Sequence, residues 1–210
     1  MLLYVLKTVI FLLFFAIFSC QNSSKVEKEI SKIDVDLTIE RFDRLFADAT
    51  PSDLPGLKQN YPFLFPKMYA DSVWINRMSD SIQKLQNKAV DSVFEDFSLT
   101  ESEIISFYQH LKYYNKALKT PRLITVLSDV DYRNKVVVTD SIVLIALDTY
   151  LGAEHEFYTS FYNYIKQNLN KGQIVSDLAT AYAERLIYQP KRATFLEEMI
   201  YFGKQLYLKD

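Results

Sequence analysis

Zinc hydrolysis, calcium binding and nucleophilic catalysis each need particular side chains at particular spacings, and this chain offers a fragment of each. His155-Glu156 opens like the HExxH helix of a zinc protease, in which two imidazoles one turn apart grip the metal. Thr159 stands where the second imidazole belongs, so that segment supplies no ligand pair. Glu154 and Glu156 suit the first turn of a helix instead, where acids favour its dipole. Asp129-Val130-Asp131 begins like an EF-hand loop, but Arg133 takes the third ligand position and no glycine follows. That pattern predicts a turn with Asx hydrogen bonds. His110 lies at the edge of an apolar helix face, near Gln109 and Lys112, and no serine sits in a glycine-flanked elbow. Asp140 and Asp148 flank a strand, with Asp148 at its exit, where α/β folds place sites; without a known separation the pair assigns nothing. The expectation is no catalytic residue, no metal ligand set and no cofactor.

Cys20 is the only cysteine, which excludes an intramolecular disulfide. It ends the run FLLFFAIFSC and precedes the polar QNSS. Residues 1–19 are nearly all apolar, with Lys7 and the amino terminus as the positive charges, the pattern of a secretory signal. As a helix the apolar part of that segment reaches about 20–25 Å, marginal for a permanent span. Ile17-Phe18-Ser19-Cys20 resembles the bacterial lipobox, which implies cleavage before Cys20 and acylation of its thiol. The alternative is an uncleaved membrane anchor with an incidental cysteine. Gln21, where an aspartate would favour the inner membrane, favours the outer membrane, facing the periplasm.

The elements around these residues follow from composition and period. The formal net charge of −2 shows no basic excess for nucleic acid, and 49% apolar with 15% aromatic residues excludes a disordered chain. Four glycines, none close to another, exclude Gly-rich phosphate loops. Residues 1–19 are a signal peptide and 20–32 a lipidated tether; 33–210 form one domain. Met78, Ile82, Leu85, Ala89, Val93 and Phe97 predict one apolar face on a helix over 71–97. Thr100 and Glu103 form a capping box opening a helix that carries Ile104, Phe107, Tyr108, Leu111 and Tyr114. RLITVL (122–127), KVVVT (135–139) and IVLIAL (142–147) predict three strands, the last buried on both faces. Phe157, Tyr158, Phe161, Ile165 and Leu169 predict a helix after Gly152; another spans about 177–188. Thr194 and Glu197 cap a last helix whose Leu196, Met199, Ile200, Gly203, Leu206 and Tyr207 share a face. The fold class is α+β: a small central sheet of about three strands covered by helices.

From end to end the chain resembles the gliding-motility lipoprotein GldB family of the Bacteroidetes. The likeness lies in the lipobox Cys20, IERFDRLF (39–46), LPGLKQNYPFLFP (54–66) and DSVWINRMSD (71–80). It continues through HLKYYNKALKTPRLITVLSDVDY (110–132), IVLIALDTYLGAEHEFY (142–158) and LEEMIYFGKQLYLKD (196–210). Asn115-Lys116 replaces a Phe-Pro type pair of the family, and members continue past residue 210, so a C-terminal portion is expected to be missing. The family is distantly similar to zinc proteases with an HExxH helix. The comparable segment here, DLATAYAERLI (177–187), keeps Glu184 without a histidine, which implies a degenerate zincin-like fold without metal ligands. The resemblance implies a lipid-anchored, non-catalytic cell-envelope protein that is required for or assists gliding motility. Its partners would be the membrane, through lipid on Cys20, and other gliding or envelope proteins. The rivals are an envelope hydrolase, which bound zinc would mark, and a glycan- or peptidoglycan-binding module, which exposed tyrosines along a groove would favour.

Overall fold

The run IVLIA carries no polar side chain, and in the computed structural model it is the strand on which the sheet is built. The structure describes residues 25–189 and 191–209; the signal segment and Cys20 lie outside them. Four strands form the sheet, β1 (Ile39–Glu40), β2 (Arg122–Val126), β3 (Val136–Val138) and β4 (Ile142–Ala146), in the order β1-β2-β4-β3. Strand β2 runs parallel to β4 over the register Arg122↔Ile142 to Val126↔Ala146, and β1 runs parallel to β2. Strand β3 returns antiparallel on β4, with Val137 opposite Leu144. The three predicted strands are all present; β1 is a fourth, two residues long, at the edge. A bidentate ion pair fixes its position, Arg122 Nε and Nη2 donating to the Glu40 carboxylate at 2.7 and 2.8 Å.

Alternation then separates two cores. Leu123, Val143 and Ile145 face one side, packed with Ile104 and Tyr108 of α6 (Ser98–Tyr114) and Leu178 and Tyr182 of α8 (Ile174–Leu186). Ile124, Val126, Ile142 and Leu144 face the other. There they meet an aromatic layer, Phe42 and Phe46 of α2 (Phe42–Ala47), Tyr61 and Phe65, beside α3 (Leu54–Asn60) and Trp74 of α4 (Asp71–Ser79). Two short 3-10 turns, Leu147–Thr149 and Glu156–Tyr158, then α7 (Asn163–Lys166) and a third such turn, Lys171–Gln173, lead from β4 to α8.

Several expectations are corrected. Residues 25–30, expected within the tether, form α1 (Lys25–Ile30), whose Ile30 is buried and which packs on α6, with Gln109 Nε2 donating to Ile33 O at 3.0 Å just beyond it. The helix predicted over 71–97 is two helices, α4 and α5 (Ser81–Val93). Asp80 breaks it with an extended backbone and caps α5 by accepting from Gln83 N at 2.8 Å. The Thr100 capping box is not used: Thr100 is buried inside α6, and Asp96 accepts from Ser98 N at the start of the helix instead. The segment after Gly152 is 3-10 turns and the short α7 rather than one helix, although Tyr158 and Leu169 are buried as their spacing implied. The second capping box forms as predicted. Glu197 accepts from Ala193 N and Thr194 N, and Thr194 Oγ1 accepts from Glu197 N, opening α9 (Phe195–Lys209). Its apolar residues Leu196, Met199, Ile200, Leu206 and Tyr207 are exposed, while Gln205 is buried.

Candidate functional site

The carboxyl ends of β2 and β4 open beside the aromatic layer, and a cleft of about 270 Å³ lies there. Phe42, Phe46, Leu64, Phe65 and Trp74 line one side; Val126, Leu127, Ser128 and Asp129, at the exit of β2, line another. Gln83 and Asn87 of α5 and Arg77 of α4 complete it. It continues into an outer groove between α4 and α5, lined by Tyr69, Val73, Ile82, Gln83 and Gln86.

The polar groups of the cleft are held firmly. Asp43 is buried, and its carboxylate accepts from Arg41 Nε at 2.9 Å, Arg41 Nη2 at 2.7 Å and Thr125 Oγ1. Asp129 reaches the cleft because the chain leaves β2 through two left-handed residues, Asp129 (φ 56°) and Val130 (φ 61°). A β-branched residue adopts that conformation only under strain. Asp148 supplies the compensation: its buried carboxylate accepts from Ser128 N at 3.0 Å, Val130 N at 2.7 Å and Ser128 Oγ at 3.3 Å. Burial raises the Asp148 pKa, and the bonds from Val130 N and Ser128 oppose that rise without cancelling it. The turn so held points Asp129 at Arg77, whose Nη2 lies 2.7 Å from the carboxylate.

Two groups on the walls have no partner. The Nε1 of Trp74 and the Oε1 of Gln86 are buried, and neither makes a hydrogen bond among the described residues. Each such orphan costs a fold about 1–3 kcal/mol. Gln86 is only 5% exposed, as is Gln83. The face predicted for this stretch, Ile82 and Leu85, is instead 61% and 58% exposed. Ala89 and Val93 pack on the core as predicted, beside buried Val90, but in the first turns of α5 amides point inward and the aliphatics outward.

The residues singled out in the sequence do not converge. Asp140 is exposed at the opposite end of β4 from Asp148 and pairs with Arg185, so the two aspartates form no carboxylate pair. His155 caps the second 3-10 turn, its Nδ1 accepting from Phe157 N at 3.3 Å. His110 lies on α6 with Nε2 3.3 Å from Glu27. Asp131 forms the expected Asx turn, accepting from Arg133 N at 3.1 Å. Glu184 is exposed on α8. Among the described residues no three His, Cys, Asp or Glu side chains are grouped to hold a metal ion, and no helix is long and apolar enough to cross a membrane. The cleft went unseen in the sequence because its walls come from residues 42–129, and its one local signal was glutamine at 83 and 86.

The family model for gliding motility protein GldB matches residues 23–210. No curated protein and no solved structure matches the chain.

Proposed function

The chain belongs to the gliding motility protein GldB family, and from that membership we propose that it is a lipid-anchored, non-catalytic envelope protein required for gliding. The family match over residues 23–210 carries this reading, since it spans nearly everything beyond the signal segment. The lipobox Cys20 supplies the anchor, most simply at the outer membrane and facing the periplasm. Only four residues separate Cys20 from Lys25, where α1 begins, so the anchor holds the domain within about 17 Å of the bilayer. The domain then works by binding other gliding or envelope proteins. Its cleft carries an acid, Asp43, whose oxygens are already engaged by Arg41 and Thr125, an arrangement that favours holding a ligand over moving a proton. A degenerate zincin-like ancestry fits the same reading, with Glu184 kept and the histidines gone.

The test is deletion of the gene in a gliding bacterium that carries it, scored by filming single cells on glass. The reading expects movement to stop; undiminished movement contradicts it. His155→Ala is expected to cost about 1 kcal/mol in denaturant unfolding, as a lost cap does, and to leave gliding intact. A stably folded His155→Ala chain that abolishes movement would point to chemistry at that turn.

A further inference from the structure

We propose that the cleft between α4, α5 and the exit of β2 binds a partner peptide, taking one apolar side chain into the aromatic pocket and one backbone amide against Gln86 and Trp74. This deepens the binding reading above and rests on it. The pocket walls are Phe42, Phe46, Phe65, Leu127 and Val126, suited to an aliphatic or aromatic side chain. Its volume of about 270 Å³ is just below the ~300–1,000 Å³ of small-molecule sites, and fits a side chain with a short piece of backbone. Trp74 Nε1 is a donor lacking an acceptor, and Gln86 Oε1 is an acceptor lacking a donor. A secondary amide offers both complements, a carbonyl oxygen and an N–H. Helix α5 keeps Gln86 and Gln83 buried while Ile82 and Leu85 stand in solvent. The later turns of α5 bury Val90 and pack Ala89 and Val93 on the core, so the departure is confined to the first turns, beside the cleft; a local rule broken at such a place marks a functional position. The strained turn at Asp129 and Val130, stapled by Asp148, borders the same cleft and sets its ion pair Arg77–Asp129 at the mouth. A sugar is the poorer fit: Trp74 packs near-perpendicular to Phe65 (centroids 4.9 Å apart, 72°) and to Tyr69 (6.1 Å, 89°), rather than offering an open platform for stacking.

Trp74 is the only tryptophan in the chain, so its fluorescence reports on the cleft alone. The full chain in lipid vesicles would be titrated with N-acetyl-leucine amide, with N-acetyl-glycine amide and N-acetylglucosamine as comparisons. The expected result is a saturable emission change with the leucine probe and none with the other two. Gln86→Leu is expected to bind the leucine probe roughly tenfold more weakly, the size of one lost hydrogen bond, with an equal or higher melting temperature because an orphaned group is gone. Trp74→Phe, followed by equilibrium dialysis of labelled probe, is expected to weaken binding similarly and covers the case in which Gln86→Leu misfolds. No saturable change with the leucine probe, a response to the sugar alone, or unaltered binding by both variants overturns the proposal. If gliding is lost on deletion while the probe fails to bind, the cleft proposal falls and the motility reading stands. If the probe binds and deletion leaves gliding intact, the cleft proposal stands and the motility reading falls.

Discussion

Asp148→Ala is expected to destabilise the domain by about 3 kcal/mol and to lower its melting temperature by roughly 10 °C. The substitution removes the fully buried acceptor for two backbone N–H groups, those of Ser128 and Val130, and for the Ser128 hydroxyl, in a half-buried turn. It also releases a turn in which Asp129 and Val130 are held left-handed, so the strain they store is no longer opposed. Asp148→Asn keeps one acceptor oxygen and is expected to cost about half as much. Its pH dependence separates charge from shape. Burial raises the carboxyl pKa, so the folded chain holds a proton that the unfolded chain has already released. The stability this group contributes is therefore present in full below the unfolded carboxylate pKa and is lost as pH rises toward the folded value. The advantage of the parent chain over Asp148→Asn should shrink as pH rises above the ordinary carboxylate range. A gap that widens there would mean that the backbone bonds, not burial, dominate. Chemical denaturation at several pH values measures it.

Cys20→Ala is expected to abolish incorporation of labelled palmitate and to move the protein out of the membrane fraction. Two or more acyl chains hold a protein durably at about 0.8 kcal/mol per buried methylene. The expected change is from nearly all of the protein in membranes to a minor share. A parent chain that carries no acyl label and sediments with membranes equally well as Cys20→Ala would identify residues 1–19 as a plain anchor.

The strands were legible because their signal is local. In RLITVL and IVLIAL the β-branched apolar residues mark strands, and in IVLIAL the lack of any polar residue reports burial on both faces; both strands form where predicted, with ends within one residue. Strand β1 has no such signal: two residues join the sheet because the Arg122–Glu40 pair anchors them, a contact over more than eighty positions. The break at Asp80 was written as an N-cap residue three before Gln83, but a continuous apolar period across 78–82 masked it. That period placed Ala89 and Val93 against the core but Ile82 and Leu85 wrongly, since periodicity assumes that aliphatics turn inward, and in the first turns of α5 the amides of Gln83 and Gln86 do. Asp148 was noticed as one half of a possible carboxylate pair; its role as a staple for the β2 exit needed the turn at 128–130 to be brought beside it. The apolar residues of α9 share a face as their spacing implied, but nothing in that spacing says what the face meets.

The measurement that bears most directly on the account is complementation of a deletion strain, with gliding of single cells filmed on glass. The parent chain and Cys20→Ala would be supplied from the same promoter and checked for equal abundance. The account predicts that deletion stops movement, that the parent chain restores it and that Cys20→Ala does not. Movement that survives the deletion, or equal rescue by Cys20→Ala, would contradict the reading of this chain as a lipid-anchored component of gliding.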